Sequence, residues 1–149
     1  MAKREISLRE RALAMLARRE HTRAEMTHKL SPHCESPEQV KQLLDALVAR
    51  GWLSETRFAE SRANMLAPKF GSRKIEHDLR SRGVSAEVVE QSVERALAQE
   101  LENCRAAWLR KFGVLPQTPA ERGRQMRFLA GRGFSAEAVR QVLKSGDAD

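Results

Sequence analysis

The sequence has no tyrosine, and aromatic residues make up only 5% of its 149 residues. Valine and isoleucine are sparse and do not alternate with polar residues, as a half-buried β-strand would require. Alanine, leucine, arginine and glutamate, which favour helices, dominate instead. A hydrophobic content of 41% with 32% charged residues is typical of a globular chain and excludes a disordered one. We therefore expect an all-α fold without a sheet.

Cysteines and long apolar runs are also scarce. The two cysteines, Cys34 and Cys104, are too few for a disulfide framework, so we expect reduced thiols. No segment approaches the roughly 18 consecutive apolar residues that a membrane span needs. The first residues are charged and lack the apolar core of a secretory signal. These absences predict a cytoplasmic protein with no membrane partner.

Motifs that carry chemistry are missing as well. The sequence contains no Walker phosphate loop, no dinucleotide-binding glycine pattern and no nucleophile elbow. His28, His33 and Cys34 lie close together, but they lack a second cysteine or a distal histidine pair at tetrahedral spacing. His77 could contact phosphate, although a plain surface histidine is the simpler interpretation. We therefore expect a protein that is not an enzyme and that has no metal or cofactor.

The sequence does contain an internal repeat. Residues 79–91 match residues 129–141 at eight positions with an offset of 50 residues, and a fainter copy precedes both. A period near 50 residues in a helical chain corresponds to about three short helices per unit. One such unit buries little apolar surface, so neighbouring units have to stack. We predict an elongated array of three tandem three-helix modules, at residues 1–53, 54–99 and 100–149.

Capping residues and apolar stripes predict where the helices lie. Ser36, followed by proline and an apolar stripe that ends at Val48, predicts the clearest helix, and Gly51 is expected to end it. Leu97 and Cys104 are expected to face inward on their helices. The predicted N-caps are Thr22, Ser36, Ser72, Ser85 and Ser135.

Positive charge exceeds negative charge and is unevenly distributed. Lysine and arginine total 27 against 20 aspartate and glutamate residues, a formal charge of +7, which favours a polyanionic partner. Any single basic residue could instead belong to a solvated face. Arg73 and Lys74 lie near the start of a predicted helix, where backbone N–H groups and the helix dipole add to anion attraction. The candidates for contact with phosphate or acidic protein surface are Arg62, Lys69, Arg73, Lys74, Arg80, Arg82, Arg105, Arg110, Lys111, Arg122, Arg124, Arg127 and Arg132.

Three segments of the chain resemble segments of the RecX family. Residues 51–61, GWLSETRFAES, are similar to the stretch that joins the first two RecX modules. Residues 70–84, FGSRKIEHDLRSRGV, and residues 124–135, RQMRFLAGRGFS, resemble its second-module and third-module blocks. Two positions depart from the pattern, since Ser54 stands where the family often has aspartate and Cys34 where the other two repeats have glycine. The resemblance covers nearly the whole chain.

The resemblance implies a regulator made of tandem three-helix modules that binds in the groove of RecA recombinase filaments. RecX proteins inhibit filament growth, ATP hydrolysis, strand exchange and co-protease activity, and carry out no chemistry of their own. We therefore expect a monomer that binds the RecA filament and, weakly and without sequence preference, the DNA phosphate backbone.

Two alternatives stay open at this point. Three-helix units can house a helix-turn-helix, so the chain could be a self-sufficient DNA-binding protein. Against that interpretation, no predicted helix carries the dense set of Asn, Gln and Arg that reads base edges. Trp52 and Phe58 flank the predicted first junction and are expected to interlock the modules, with partner hot spots as the alternative.

Overall fold

The computed structural model describes residues 5–145, and that part of the chain contains helices and turns but no β-strand. The prediction of an all-α fold is therefore confirmed. A short 3-10 helix at Ser31–His33 follows the second α-helix. The α-helices are α1 Leu8–Arg18, α2 Arg23–Leu30, α3 Pro37–Ala49, α4 Glu55–Leu66, α5 Ser72–Ser81, α6 Ala86–Ala98, α7 Glu100–Lys111, α8 Pro119–Gly131 and α9 Ala136–Ser145.

These helices enclose three separate hydrophobic cores, formed by α1–α3, α4–α6 and α7–α9. We call the three groups the first, second and third modules. The accessible surface of 9727 Å² exceeds the roughly 7,700 Å² expected for one compact domain of this mass. The chain is therefore a helical repeat of small units. Large buried side chains are Met26 and Leu44 in the first core, Ile75 and Leu79 in the second, and Trp108 and Phe134 in the third.

Most of the predicted N-caps are confirmed. The side-chain oxygens of Thr22, Ser36 and Ser135 accept hydrogen bonds from the backbone N–H three residues on, at 3.0, 3.3 and 3.2 Å. Ser54 caps α4 in the same way at 3.2 Å, so the residue that departs from the family's aspartate still caps its helix. Ser85 is the N-cap residue of α6, but its side chain makes no capping hydrogen bond.

The burial of some apolar side chains differs from expectation. Cys104 is fully buried, as predicted, and Gly51 ends α3 with a φ of 74°. The prediction that Val48 and Leu97 face the core is wrong, because they are 49% and 52% exposed. A module of three short helices covers only a narrow stripe on each helix, so residues at the edge of that stripe stay in solvent.

The second junction, between the second and third modules, is built around the start of α5. The backbone N–H of Ser72 donates to Oε1 of Glu100 at 3.1 Å, and its hydroxyl donates to Oε2. The N–H groups on either side of Ser72 donate to the carbonyl oxygens of Arg132 and Gly133, at 2.9 and 3.0 Å. The first N–H groups of a helix have no partner inside it, and here the next module supplies their acceptors. The prediction that Ser72 is the N-cap is therefore wrong; Gly71 is the N-cap residue.

The first junction, between the first and second modules, repeats this arrangement. Oε2 of Glu55, at the start of α4, accepts from the N–H of Arg23, the first residue of α2, at 3.1 Å. Oε1 of the same carboxylate accepts from the N–H of Ser85 at 2.9 Å. The hydroxyl of Thr22 donates to the carbonyl of Arg82 at 3.2 Å. The two junctions therefore follow one plan. At the first, Glu55 and the turn between α5 and α6 cover the start of α2. At the second, Glu100 and the turn between α8 and α9 cover the start of α5.

Glycine is required where these turns approach the helix starts. A Cβ on Gly71 would lie 2.6 Å from the carbonyl oxygen of Gly133, closer than real Cβ atoms come to backbone. A Cβ on Gly133, which has a φ of +90°, would lie 2.6 Å from Cβ of Lys74. At the first junction, a Cβ on Gly83 would lie 2.8 Å from Cβ of Ala24. The repeated glycine thus allows close contact between modules.

Candidate polyanion-binding surface

Three of the predicted basic residues are neutralised within the second module. Nε and Nη2 of Arg62 donate to the two carboxylate oxygens of Asp78 at 3.0 and 2.8 Å, and both side chains are only 19% exposed. Arg82 also approaches Asp78, at 3.3 Å. Arg80 pairs with Glu76 at 3.1 Å on the surface of α5. The charge of these arginines is already matched by carboxylates of the same module.

Nine other candidates have no such partner. Within residues 5–145, no carboxylate oxygen lies within 4.0 Å of their charged nitrogens. Arg105 is half-buried on α7 beside Cys104. The nine unpaired residues are Lys69, Arg73 and Lys74 around the start of α5, Arg110 and Lys111 at the end of α7, and Arg122, Arg124, Arg127 and Arg132 on α8.

Two aromatic rings hold several of these cations in place. The guanidinium of Arg132 lies 5.0 Å from the ring centroid of Phe70 and 5.1 Å from that of Phe128. Nζ of Lys74 lies 5.6 Å from the Phe70 ring, and Nζ of Lys111 lies 5.3 Å from the Phe128 ring. A cation over an aromatic face is attracted to it without losing its charge. The rings therefore fix these side chains and leave their positive field intact.

A cavity of about 340 Å³ opens among these residues at the second junction. We call it the junction pocket. No aspartate or glutamate of residues 5–145 contributes to its wall. Phe112 packs edge-on against the Phe128 ring, with centroids 5.5 Å apart and planes at 88°, which orients that ring. The junction pocket is lined by Lys69, Ala107, Arg110, Lys111, Phe128 and Arg132.

The backbone N–H groups at the start of α5 are already occupied by acceptors of the third module, so they do not add to anion attraction at Arg73 and Lys74 as the sequence suggested. The N–H groups of Gly71, Ser72 and Arg73 all donate to acceptors of the third module, at 2.9 to 3.1 Å. The side chains of Arg73 and Lys74 are exposed. Any anion attraction at this helix end therefore comes from the side chains alone.

A groove of about 1060 Å³ at the first junction differs in charge from the junction pocket. Its wall includes Arg23, Arg57 and the exposed Val48. Arg23 pairs with Asp45 at 2.6 Å and Arg57 pairs with Glu20 at 2.8 Å. Both arginines of the groove are thus paired with carboxylates, so its wall has less unbalanced positive charge than the wall of the junction pocket.

Trp52 and Phe58 do not share one core. Phe58 is 3% exposed in the core of the second module. Trp52 is 44% exposed, and the guanidinium groups of Arg9 and Arg50 lie over its ring, 5.6 and 5.2 Å from the centroid. A hydrogen bond that crosses the first junction is accepted by the carboxylate of Glu55 from the backbone N–H of Arg23.

Other residues singled out from the sequence take structural or surface positions. Burial raises the pKa of the Cys104 thiol to about 12, which keeps the thiol protonated and unreactive. In the described range, no group of three or more His, Cys, Asp or Glu side chains is placed to hold a metal ion. No helix of that range is long and apolar enough to cross a membrane.

No sequence pattern pointed to the two aromatic rings of this surface. Phe128 and Arg132 lie four residues apart on α8, a spacing that brings side chains together, and this signal could have found the first contact. Phe70 reaches Arg132 only across the junction, so no local pattern predicts the second.

The fold and its two junctions define a helical repeat protein made of tandem three-helix domains. Residues 54–93 match the profile of the second three-helix domain of RecX, and residues 98–143 match that of the third. The regulatory protein RecX of Leptothrix cholodnii is 43% identical over 143 residues, covering 96% of this chain and 91% of that protein. The regulatory protein RecX of Chromobacterium violaceum is 41% identical over 143 residues, covering 96% and 93%. The chain belongs to the RecX family, as the three resembling segments indicated.

The fold of the chain is also similar to solved structures. The crystal structure of RecX from Lactobacillus salivarius superposes with a TM-score of 0.76 and covers 94% of each chain. At 16% sequence identity, this similarity concerns the fold alone.

Proposed function

We propose that this protein binds the RecA recombinase filament on DNA and restrains it, inhibiting RecA ATP hydrolysis, strand exchange and co-protease activity. Membership of the RecX family along 96% of the chain supports a regulatory role. On this proposal the protein is a cytoplasmic monomer without chemistry of its own. Its modules divide after residues 53 and 99.

The observation that carries the proposal is a set of nine cations that have no carboxylate partner among residues 5–145. They lie just before and at the start of α5, at the end of α7 and on α8. A solvated surface that serves only solubility has charges of both signs interspersed. An unbalanced positive surface attracts a polyanion or an acidic protein surface. A RecA filament on DNA offers both.

The repeat suggests how such contacts could restrain a filament. Consecutive modules contact successive protomers, and linked weak contacts gain affinity through effective concentration. A protein that bridges neighbouring protomers in one filament geometry stabilises that geometry. It thereby opposes the cycling between geometries that ATP hydrolysis and strand exchange need.

The test is the DNA-dependent ATPase of RecA from the same organism, together with filament growth followed by light scattering. We expect purified protein to lower both when it is present at fewer copies than RecA. If saturating protein leaves both unchanged, the proposed function is wrong.

A salt titration without RecA distinguishes the alternative of a self-sufficient DNA-binding protein. Weak binding that falls steeply with salt fits a regulator that uses phosphates for docking. Tight, sequence-selective binding that survives physiological salt would favour the alternative.

A further inference from the structure

We infer that the junction pocket binds the phosphodiester backbone of a nucleic acid without regard to base sequence. This deepens the proposed function and rests on it for the source of the nucleic acid, which is the DNA of the filament. It also separates the basic residues by role, because the pocket cations contact phosphate whereas Arg62, Arg80 and Arg82 stabilise the second module.

The geometry of Arg132 is the first support. Its guanidinium lies over the rings of Phe70 and Phe128, 5.0 and 5.1 Å from their centroids, and no carboxylate oxygen of residues 5–145 lies within 4.0 Å of it. A planar guanidinium can donate two parallel N–H···O hydrogen bonds to one phosphate. A guanidinium that is already held in place loses less side-chain entropy when it binds. Lys69, Arg110 and Lys111 share the pocket wall with it. One phosphate in the pocket would therefore meet the guanidinium of Arg132 and three further cations.

The extent of the positive surface favours a polymer over a small anion. Lys74 shares the Phe70 ring with Arg132, which extends the surface toward the start of α5. Lys111 also lines a neighbouring cavity with Arg124, which extends the surface along α8; Glu121 lines the same cavity, and its carboxylate accepts a hydrogen bond from the backbone N–H of Gln117 at 2.7 Å. Cations thus continue on both sides of the pocket, as a chain of phosphates requires.

The chemistry of the pocket wall favours phosphate contact over base reading or protein docking. In the described part of the chain, no asparagine or glutamine lines the pocket, so its wall lacks the side chains that read adenine edges. Among the described residues, Ala107 and Phe128 are the only apolar residues that line the pocket, whereas a protein-binding hot spot needs a larger apolar centre. Contacts between cationic side chains and phosphates fix the position of a protein on the nucleic-acid backbone, and they carry no information about the base sequence.

The experiment compares two triple variants of the full chain. The pocket variant is Lys69→Gln, Arg110→Gln and Lys111→Gln, which keeps Arg132 and its backbone contact with the second module. The control variant is Lys41→Gln, Arg140→Gln and Lys144→Gln, which removes three cations outside the pocket. All six side chains are exposed and both variants lose three positive charges, so overall charge and folding stay matched. Circular dichroism and thermal unfolding verify the fold of each.

Binding of a fluorescently labelled oligothymidylate is measured by anisotropy over a range of potassium chloride concentrations, without RecA. We expect the pocket variant to bind about tenfold more weakly than the control, with a salt slope lower by about 2, from three lost contacts at about 0.7 each. The control is expected to stay within about twofold of the unmodified protein because screening weakens distant charges.

Several outcomes would overturn the inference. Equal losses in both variants would mean that only overall charge matters. Displacement of the oligonucleotide by inorganic phosphate, beyond that by chloride at the same ionic strength, would indicate a small-anion site. If the pocket variant binds DNA as the control does but loses binding to RecA alone, the pocket contacts protein instead.

The inference and the proposed function can fail separately. If the unmodified protein inhibits RecA while the two variants bind DNA equally, the inference is wrong and the function stands. If the pocket variant alone loses DNA binding while the unmodified protein leaves the RecA ATPase and filament growth unchanged, the inference stands and the function is wrong.

Discussion

The carboxylate of Glu100 accepts two hydrogen bonds from Ser72, one from its backbone N–H and one from its hydroxyl, across 28 residues of sequence. Both residues are buried, at 5% and 3% exposed. The first residue of α7 thereby satisfies the start of α5 and joins the third module to the second. Glu55 makes the corresponding contact one module earlier, with the start of α2.

Glu100→Ala should therefore destabilise the chain. The variant leaves a buried N–H and a buried hydroxyl without their acceptor, which costs about 1–3 kcal/mol for each unsatisfied group. Glu102→Ala is the matched control, because Glu102 lies on the same helix with its side chain in solvent, and its effect should stay within about 0.5 kcal/mol. Urea unfolding followed by circular dichroism measures both. Equal stability of the two variants would show that the contact does not hold the modules together.

The glycines of the second junction allow an equally direct test. Gly71→Ala places a Cβ 2.6 Å from one backbone atom and 2.7 Å from two others, and backbone cannot move aside without separating the modules. We expect a loss of about 2 kcal/mol or more, as for other overpacked sites. Gly131→Ala is the control, since a Cβ there meets nothing within 4 Å, and an alanine inside a helix should stabilise by about 0.5–1 kcal/mol. Opposite signs in thermal unfolding are the expected result, and two variants of the same sign would contradict it.

The sequence predicted features that depend on nearby residues. The 50-residue repeat, the caps at Thr22 and Ser36 and the glycine at the end of α3 all follow from local periodicity and backbone conformation. The prediction for Ser72 failed because its partner lies 28 residues away, at a position that no local pattern connects to it. Val48 was predicted to be buried because the apolar residues of a helix indicate the centre of its buried face but not how wide that face is.

The same distinction applies to the candidate surface. An excess of arginine and lysine predicted that a basic surface exists. Which members of that set are free depends on pairs such as Arg62 with Asp78, 16 residues apart on different helices. The contact of Arg132 with both Phe70 and Phe128 depends on packing between two modules. The composition therefore predicted that a surface with positive charge exists, but it could not predict where on the molecule that surface lies.

His21 should make the stability of the first module depend on pH. His21 is 3% exposed, and its Nδ1 lies 2.9 Å from the carbonyl oxygen of Arg19. Burial lowers the pKa of His21 below its ordinary value of 6.5, because the charged form loses hydration. As the pH falls through 6.5, the unfolded chain binds a proton that the folded chain resists, so the free energy of unfolding decreases. This decrease levels off below the pKa of the folded state.

The variant His21→Gln removes this titration. Between about pH 7.5 and about pH 5.5, where carboxylates stay ionised, the unmodified protein should lose more stability to urea than the variant does. If both lose the same amount, the histidine is hydrated in the folded protein.

Arg62→Gln should lower stability and leave nucleic-acid binding unchanged. Arg62 donates two hydrogen bonds to Asp78, and both side chains are mostly enclosed, so the loss should be about 1–3 kcal/mol. Arg80→Gln removes the same charge from an exposed pair on α5, where the loss should be about 0.5 kcal/mol or less. Urea unfolding measures both variants, and oligothymidylate anisotropy should show the same affinity for the two.

Acid titration of Arg62→Gln adds a second test of the same pair. Burial raises the pKa of Asp78, but its hydrogen bonds with Arg62 and Arg82 and their charges outweigh burial and hold the pKa below its usual 3.8. The stability from this carboxylate is present above pH 3.8 and is lost as the pH falls through its lowered pKa. The stability difference between the unmodified protein and Arg62→Gln should therefore shrink in strong acid. A variant that keeps its stability at neutral pH but binds oligothymidylate more weakly than Arg80→Gln would instead assign Arg62 to the partner surface, because a side chain that contributes nothing to its own module is free to contact a ligand.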